Sequence, residues 1–306
     1  MSEYLLEQLF LEWLREDAPH GDLASELLIP PGLEVRAVVR ANERGVAACV
    51  EDVARVLERL GLEARPLKRS GETVEPGDLV LEVRGEARRV LLVERTLLNL
   101  LSYLFGVATA TRELVEKARR VNPHVRVAAT RKIPPGLRYL AKRAVAAGGG
   151  DTHRLSLSDA VLIKDNHLAV LGDVAEAVRR ARERASFIHR VEVEVETVED
   201  AVRAAKAGAD VVMLDNMSPR EVAEAIRRLE EEGLRGRVLV EVSGGITPEN
   251  IAEYARAGPD VVSTSYITMK ARPVDLSLEV VEVLGREEGG SDRLRQHRHR
   301  DSQGRG

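Results

Sequence analysis

The sequence predicts an α/β protein whose second half is a parallel barrel or near-barrel. Three observations carry this. After residue 120, short apolar runs alternate with capped amphipathic helices. Those runs are nearly continuous in Val, Leu and Ala, as in strands covered on both faces and paired in parallel. Ala207-Gly-Ala-Asp-Val-Val212 is echoed by Ala257-Gly-Pro-Asp-Val-Val262, about two strand–helix units later. Six or so such units favour a barrel over an open sheet.

The elements follow in order. Residues 2–14 place Leu5, Leu6, Leu9, Phe10 and Trp13 on one helical face. Residues 15–32 are turn-rich. LEVRAVVRA alternates like a strand, and EDVARVLERLG reads as a helix ending at Gly61. SGETVEPGDLVLEVRG reads as strands around a Pro76-Gly77 turn. Residues 88–118 form one long helical segment with a break expected near Gly106. The strand–helix pairs then run from VRVAAT to TPENIAEYARAG, and DVVST closes the series. Ser218-Pro219 with Glu221 is a capping box with Pro at the first helical position. Thr247-Pro248 repeats the pattern, Asp173 and Thr197 are further N-caps, and Gly208 and Gly258 sit where helices stop. The stretch from Arg286 lacks apolar residues apart from Leu294. Disorder is expected there, with His297 and His299 solvated rather than holding a metal.

Composition removes several function classes. Of 306 residues, 44% are hydrophobic, enough for a large core and more than one small domain. Aromatics are 3%, too few for a base-stacking platform, and the net charge of −4 lacks a nucleic-acid binder's footprint. The lone Cys49 excludes a disulfide framework. No continuous apolar run approaches the roughly 18 residues of a membrane span. The acidic, amphipathic N-terminus is unlike a signal peptide, so a cytoplasmic protein with no membrane or nucleic-acid partner is expected.

In a parallel barrel, chemistry collects at the C-terminal ends of strands. Those positions hold Thr130, Arg131 and Lys132, then Lys164 to His167, Glu194, Asp215 and Asn216, Ser243 to Gly245, and Ser263 to Ser265. Alone, Arg131-Lys132 reads equally as a solvated loop and Asp215 as a turn start. Lys164 directly after a buried strand must reach something. Glu192, Glu194 and Glu196 share one side by alternation, and an internal set of carboxylates requires cations. Ser243-Gly244-Gly245 before a helix start suits a phosphate. Together the set suggests a substrate with several anionic groups. Glu194 and Asp215 suit a divalent cation such as magnesium. His153-Arg154 precedes the AVLI strand, which by counting places it at the wrong end. To reach the site, HRLSLSD must contain its own short strand or crossing segment.

These residues lie within EDAPHGDLAS, ERTLLNLLSYLFGVAT, TRKIPPGLR, GGGDTHR, VLIKDNH, VEVEVET, MLDN and SGGI. In that order, over roughly residues 5–284, the chain resembles the quinolinate phosphoribosyltransferase (carboxylating nicotinate-nucleotide pyrophosphorylase) family. The resemblance implies an N-terminal α/β sandwich over 1–108 and an open α/β barrel of the type II phosphoribosyltransferase kind over 109–270. A segment over 271–285, with the last helix, returns to the first domain, and 286–306 is a tail. It implies a homodimer or dimer-based assembly, each site facing the partner's N-terminal domain. The implied reaction joins quinolinate to phosphoribosyl pyrophosphate with Mg2+, giving nicotinate mononucleotide, pyrophosphate and CO2. By the same resemblance, Arg131, His153, Arg154 and Lys164 form the quinolinate pocket, with Arg95 supplied by the partner subunit. Lys132 contacts the phosphoribosyl substrate. Glu194 and Asp215 serve the ribose and the metal, directly or through water. Ser243, Gly244 and Gly245 cradle the 5′-phosphate, with Ser265 among the substrate contacts.

Departures from the family pattern are Ile133 for Thr, Thr152 for Asn, and Met269 at a histidine position; Lys270 beside it would add charge at the rim. The nearest rival is a paralogous enzyme of the same fold acting on nicotinate or another anionic ring, including a molybdate-transport-linked one. The number of cations favours a dicarboxylate. A Schiff-base lysine enzyme leaves Ser243-Gly-Gly and Arg95 less well explained, and the intact set of acids and cations argues against a non-catalytic binder.

Overall fold

The computed structural model describes residues 3–284. The tail expected to be disordered, with His297 and His299, lies outside them.

The first part comprises α1 (Glu3–Asp17), α2 (Leu23–Leu28), β1 (Glu34–Ala41), β2 (Gly45–Val46), α3 (Val50–Arg59), β3 (Glu63–Pro66), β4 (Thr73–Val74) and β5 (Leu79–Glu86). On α1 the buried face is Leu6, Phe10 and Leu14, while Leu5 is exposed. The turn-rich stretch also contains α2, because the Asp22 carboxylate accepts from Ala24 N–H and caps it. β1 and β5 pair antiparallel at the centre of a four-stranded sheet, order β12-β1-β5-β3.

The long helix α4 (Ala87–Arg119) runs unbroken through Gly106. A Cβ there would lie 2.4 Å from the Arg272 carbonyl oxygen, so the glycine serves the passing chain instead of a helix break. By length and composition α4 is apolar enough to cross a membrane, contrary to the expectation from continuous runs. In the fold 61% of its most apolar window is buried, and it packs against elements of both halves.

The second part comprises β6 (Arg126–Ala129), α5 (Arg138–Ala147), β7 (Val161–Ile163), α6 (Asp165–Leu171), α7 (Val174–Arg184), β8 (Val191–Val195), α8 (Val198–Lys206), β9 (Val211–Asp215), α9 (Pro219–Glu231), β10 (Leu239–Ser243), α10 (Ile251–Arg256), β11 (Val261–Thr264), α11 (Tyr266–Met269) and β12 (Leu276–Leu284). Six strands pair in parallel in the order β6-β11-β10-β9-β8-β7. β6 and β7 do not pair with each other, so the barrel is open. Where a closing strand would run, Asp151 alone bridges to Ala128 on the free edge of β6. The chain's return to the first sheet is a strand, β12 beside β1, where a helix was implied.

Local chemistry sets these elements. The Ser218 and Glu221 box and the Asp173 and Thr197 caps form as expected. α10 differs: it begins at Ile251 after a turn, because the Asn250 side chain accepts from Thr247 N–H at 2.8 Å and donates to the Gly245 carbonyl. The internal echo has a mechanical meaning. Asp210 accepts from Val191 N–H at 2.7 Å and pairs with Arg182. Asp260 likewise accepts from Val240 N–H at 2.7 Å and pairs with Arg235. Each aspartate, just before its own strand, hooks an amide at the start of the neighbouring one, the first of β8 and the second of β10.

Candidate active site

The three glycines at 148–150 carry the chain through a narrow passage. A Cβ on Gly148 would lie 2.5 Å from the Ala108 carbonyl oxygen, and one on Gly150 would lie 2.6 Å from Thr111 Cγ2. Asp151 then exchanges backbone hydrogen bonds with Val127 and Ala129 on β6. This places the next residues, Thr152 to Arg154, at the strand-end mouth of the barrel. The expected strand within HRLSLSD does not form. Residues 155–159 are a turn held by Asp159, which accepts from Leu155 N–H at 2.8 Å and Ser156 N–H at 2.7 Å. The bridge at Asp151, before the histidine, does the crossing instead.

One cavity of about 560 Å³ occupies the mouth. Arg131, Lys132, His153, Arg154, Lys164, Glu194, Asp215, Ser243, Gly244, Gly245 and Ser265 all line it, as does Lys270. Met269 beside Lys270 is exposed and does not. Arg95 does not line it either; it is exposed on α4.

The acids lie as alternation demands. Glu192 and Glu241 are buried inside the barrel and Glu194 stands half-buried above Glu192, while Glu196 falls beyond the end of β8 and is exposed. Lys164 Nζ pairs with Glu194 Oε1. Asp215 accepts from Asn216 Nδ2 at 2.8 Å. Asn216 has φ +55 and packs so close to the Ser243-Gly244 turn that a Gly244 Cβ would lie 2.3 Å from its Oδ1. The glycines expected to cradle a phosphate therefore also let Asp215 and Asn216 sit beside them. Because α10 starts late, this turn offers loop amides at Gly244 and Gly245 more than a helix N-terminus.

Strand-end reading missed Glu192's and Glu241's part in the site. His153 Nε2 lies 3.4 Å from Glu192 Oε2 and 3.3 Å from Glu241 Oε2. The signal was present: VEVEVE and VLVEVS both alternate acid in, valine out. Burial opposes charge on His153, but the bonds to both glutamates outweigh it and push its pKa up to about 10. Arg154 N–H donates to His153 Nδ1 at 2.8 Å, which makes Nε2 the protonated nitrogen. These two observations conflict at Nδ1, where a second proton would displace the amide. The direct amide contact decides for the Nε2–H form, with the glutamates pulling toward a second proton. Burial raises the Glu192 carboxyl, His153 offsets part of this, and Glu241 adds to it.

The basic side is equally strained by like charge. Burial and then Arg131 lower Arg154 from its ordinary value. Arg131 Nε and Arg138 Nε are buried without hydrogen-bond partners, as are Glu192 Oε1, Glu241 Oε1 and Ser263 Oγ. Of these, Arg131, Glu241 and Ser263 line the cavity; buried polar atoms are normally satisfied, so a wall with open donors and acceptors suits a polar ligand. Lys142 on α5 was also missed. It is buried behind the cavity, and burial, against Asp151 and with Arg138, Arg131 and Arg154, lowers its pKa to about 8. Periodicity hides it, since a lysine on an amphipathic helix reads as surface.

The chain matches the N-terminal domain of quinolinate phosphoribosyl transferase over residues 22–105 and the C-terminal domain over residues 107–279. It is 48% identical over 269 residues to a probable carboxylating nicotinate-nucleotide pyrophosphorylase of Methanothermobacter thermautotrophicus, covering 88% of this chain and 96% of the relative. It is 37% identical to the carboxylating nicotinate-nucleotide pyrophosphorylase of Homo sapiens over 275 residues, 90% of this chain and 91% of the human one. The crystal structure of NadC from Streptococcus pyogenes superposes with a TM-score of 0.85 at 35% identity, covering 93% of this chain and 99% of that one. With both domains matched in order over the same span as the cavity-lining motifs, the chain belongs to the quinolinate phosphoribosyltransferase family.

Proposed function

We propose that the cavity joins quinolinate to phosphoribosyl pyrophosphate and releases pyrophosphate and CO2, leaving nicotinate mononucleotide for NAD biosynthesis. The observation that carries this is the sorting of charge within one cavity. Arg131, His153, Arg154 and Lys164 line it together with Glu194, Asp215 and the Ser243–Gly245 turn. A pyridine ring with two carboxylates fits Arg131, Arg154 and Lys164, with His153 beside them, and arginine suits planar bidentate contact. The phosphoribosyl group fits the acids and the turn, with Lys132 and Ser265 as further contacts. Holding both carboxylates orients the ring nitrogen toward the ribose C1. The nitrogen lone pair forms the new C–N bond as the C1–O bond to pyrophosphate breaks. The nitrogen is then positive, and the adjacent carboxylate leaves as CO2. Its bonding pair stays on the ring carbon beside that charge until a proton replaces it.

Glu194 and Asp215 would hold a magnesium ion, directly or through water. Each carboxylate has one oxygen engaged, by Lys164 and by Asn216, and carries a second, which suits a hard cation taking one or two protein carboxylates. When bound there, it would supply positive charge against the departing pyrophosphate. A homodimer, or an assembly of dimers, completes the site with Arg95 of the second copy. Two features support this: Arg95 is exposed away from its own cavity, and α2 leaves Leu23, Leu27 and Leu28 69–76% exposed. The enzyme acts as a cytoplasmic protein.

The test is direct. Purified protein with quinolinate, phosphoribosyl pyrophosphate and Mg2+ releases CO2 and forms nicotinate mononucleotide. Turnover of nicotinate with none of quinolinate overturns the reading.

A further inference from the structure

Of the charged side chains gathered around the cavity, Lys142 is the most deeply buried and has no part in the chemistry above. Its residue is 1% exposed, on α5 behind the cavity wall. Its Nζ donates to the Thr152 carbonyl and, at 3.2 Å, to the Arg154 carbonyl. These two carbonyls flank His153, whose φ is +53.

We infer that Lys142 is a positioning residue for recognition of the dicarboxylate ring, holding the Thr152–Arg154 loop in the bend that aims His153 and Arg154 into the cavity. The inference rests on the quinolinate reading of that cavity. In an extended chain the carbonyls of residues i and i+2 stand about 6.6 Å apart. One ammonium cannot hydrogen-bond both at that separation. The chain must turn at the residue between, and His153 does so in the left-handed region that a non-glycine residue rarely adopts. Lysine is suited to the task because its ammonium carries three donors on one atom and no acceptor.

The rest of the loop is tied less directly to the turn. Asp151 accepts from His153 N–H at 2.8 Å and pairs with Arg126 on the outside. Arg154 Nη1 donates to the Ala160 carbonyl at 3.1 Å. Among the described residues, Lys142 alone joins the residues before and after the histidine to one point on α5. Asp151 attracts its charge while Arg138, Arg131 and Arg154 oppose it, and among the described residues no carboxylate accepts a hydrogen bond from its Nζ, whose contacts are both backbone carbonyls. The loop carbonyls explain its placement.

Lys142 touches only the side of the cavity assigned to the ring. Glu194, Asp215 and the Ser243–Gly245 turn are carried by β8, β9 and β10, to which it donates no hydrogen bond. The two substrates therefore report separately on the role.

The experiment compares wild type with Lys142→Met, Lys142→Gln and Lys142→Arg in steady-state kinetics, with quinolinate binding measured by calorimetry. In Lys142→Met the KM and Kd for quinolinate rise by at least about tenfold, while the KM for phosphoribosyl pyrophosphate stays within about twofold. Lys142→Arg, which restores donors to both carbonyls, recovers most of the quinolinate affinity. Equal changes in both KM values, unchanged quinolinate affinity, or an arginine variant no better than methionine overturns the inference. So does failure of both Lys142→Met and Lys142→Gln to fold, since Lys142 is then a stability residue. A wild type that does not turn over quinolinate overturns the functional reading instead, and that assay comes first.

Discussion

His153 carries two loads at once, since it lines the cavity and also faces two buried carboxylates. Its removal strands Glu192 and Glu241, which are 5% and 2% exposed. Leaving buried acceptors without their hydrogen-bond donor costs about 1–3 kcal/mol. His153→Ala therefore lowers unfolding stability by roughly that amount in urea titrations, besides weakening quinolinate binding. Lys142 gives a signed pH dependence. Its folded pKa of about 8 lies below the ordinary 10.5, so the unfolded chain binds more protons between those values. Stability of the wild type relative to Lys142→Met rises with pH across that window, by on the order of 3 kcal/mol, read from denaturation midpoints at pH 7.5 and 10.5. At this scale the cavity's rim was legible in the sequence, because strand ends follow from pattern. Glu241 was written in the alternation of VLVEVS but lies below the strand end. Lys142 was not legible, since it sits on a helix face that periodicity assigns to solvent.

At the scale of elements, the segment 148–160 shows what local chemistry decides. Gly150→Ala places a methyl 2.6 Å from Thr111 Cγ2 and 3.1 Å from the Val127 carbonyl oxygen. Overpacking of this kind costs about 1–3 kcal/mol. The expected result is a lowered melting temperature together with a raised KM for quinolinate, since the same passage delivers His153 and Arg154. Helix caps were readable because they depend on neighbours three residues apart; Ser218, Asp173 and Thr197 behaved accordingly. Thr247-Pro248 misled because Asn250 competes for the Thr247 amide and delays the helix. HRLSLSD misled because Asp159 gathers the local amides into a turn, leaving Asp151 to make the only pairing along β6 in that segment.

The whole molecule sets the remaining prediction. A shared site implies that Arg95→Ala and Lys164→Ala proteins, each inactive alone, regain part of the activity when mixed, because one hybrid site in the dimer is then intact. Subunit exchange shown by mass, with no recovery, rejects the shared site. α4 matters here: it packs against both halves, and it carries Arg95 on its exposed surface. Its apolar length has a structural use, as the buried spine between the antiparallel sheet and the open barrel.

The sequence by itself determined the parallel α/β class, the helix caps, the strand-end charges and the family. These depend on short-range periodicity and on motifs whose order survives in one dimension. Tertiary structure alone decided that the barrel stays open at β6 and β7, with Asp151 standing in for a strand. It also decided that the chain returns as β12 and that Lys142 lies beneath the loop it bonds. Those outcomes depend on close approaches between segments distant in the chain, at Gly106, Gly148 and Gly150, which no local pattern records.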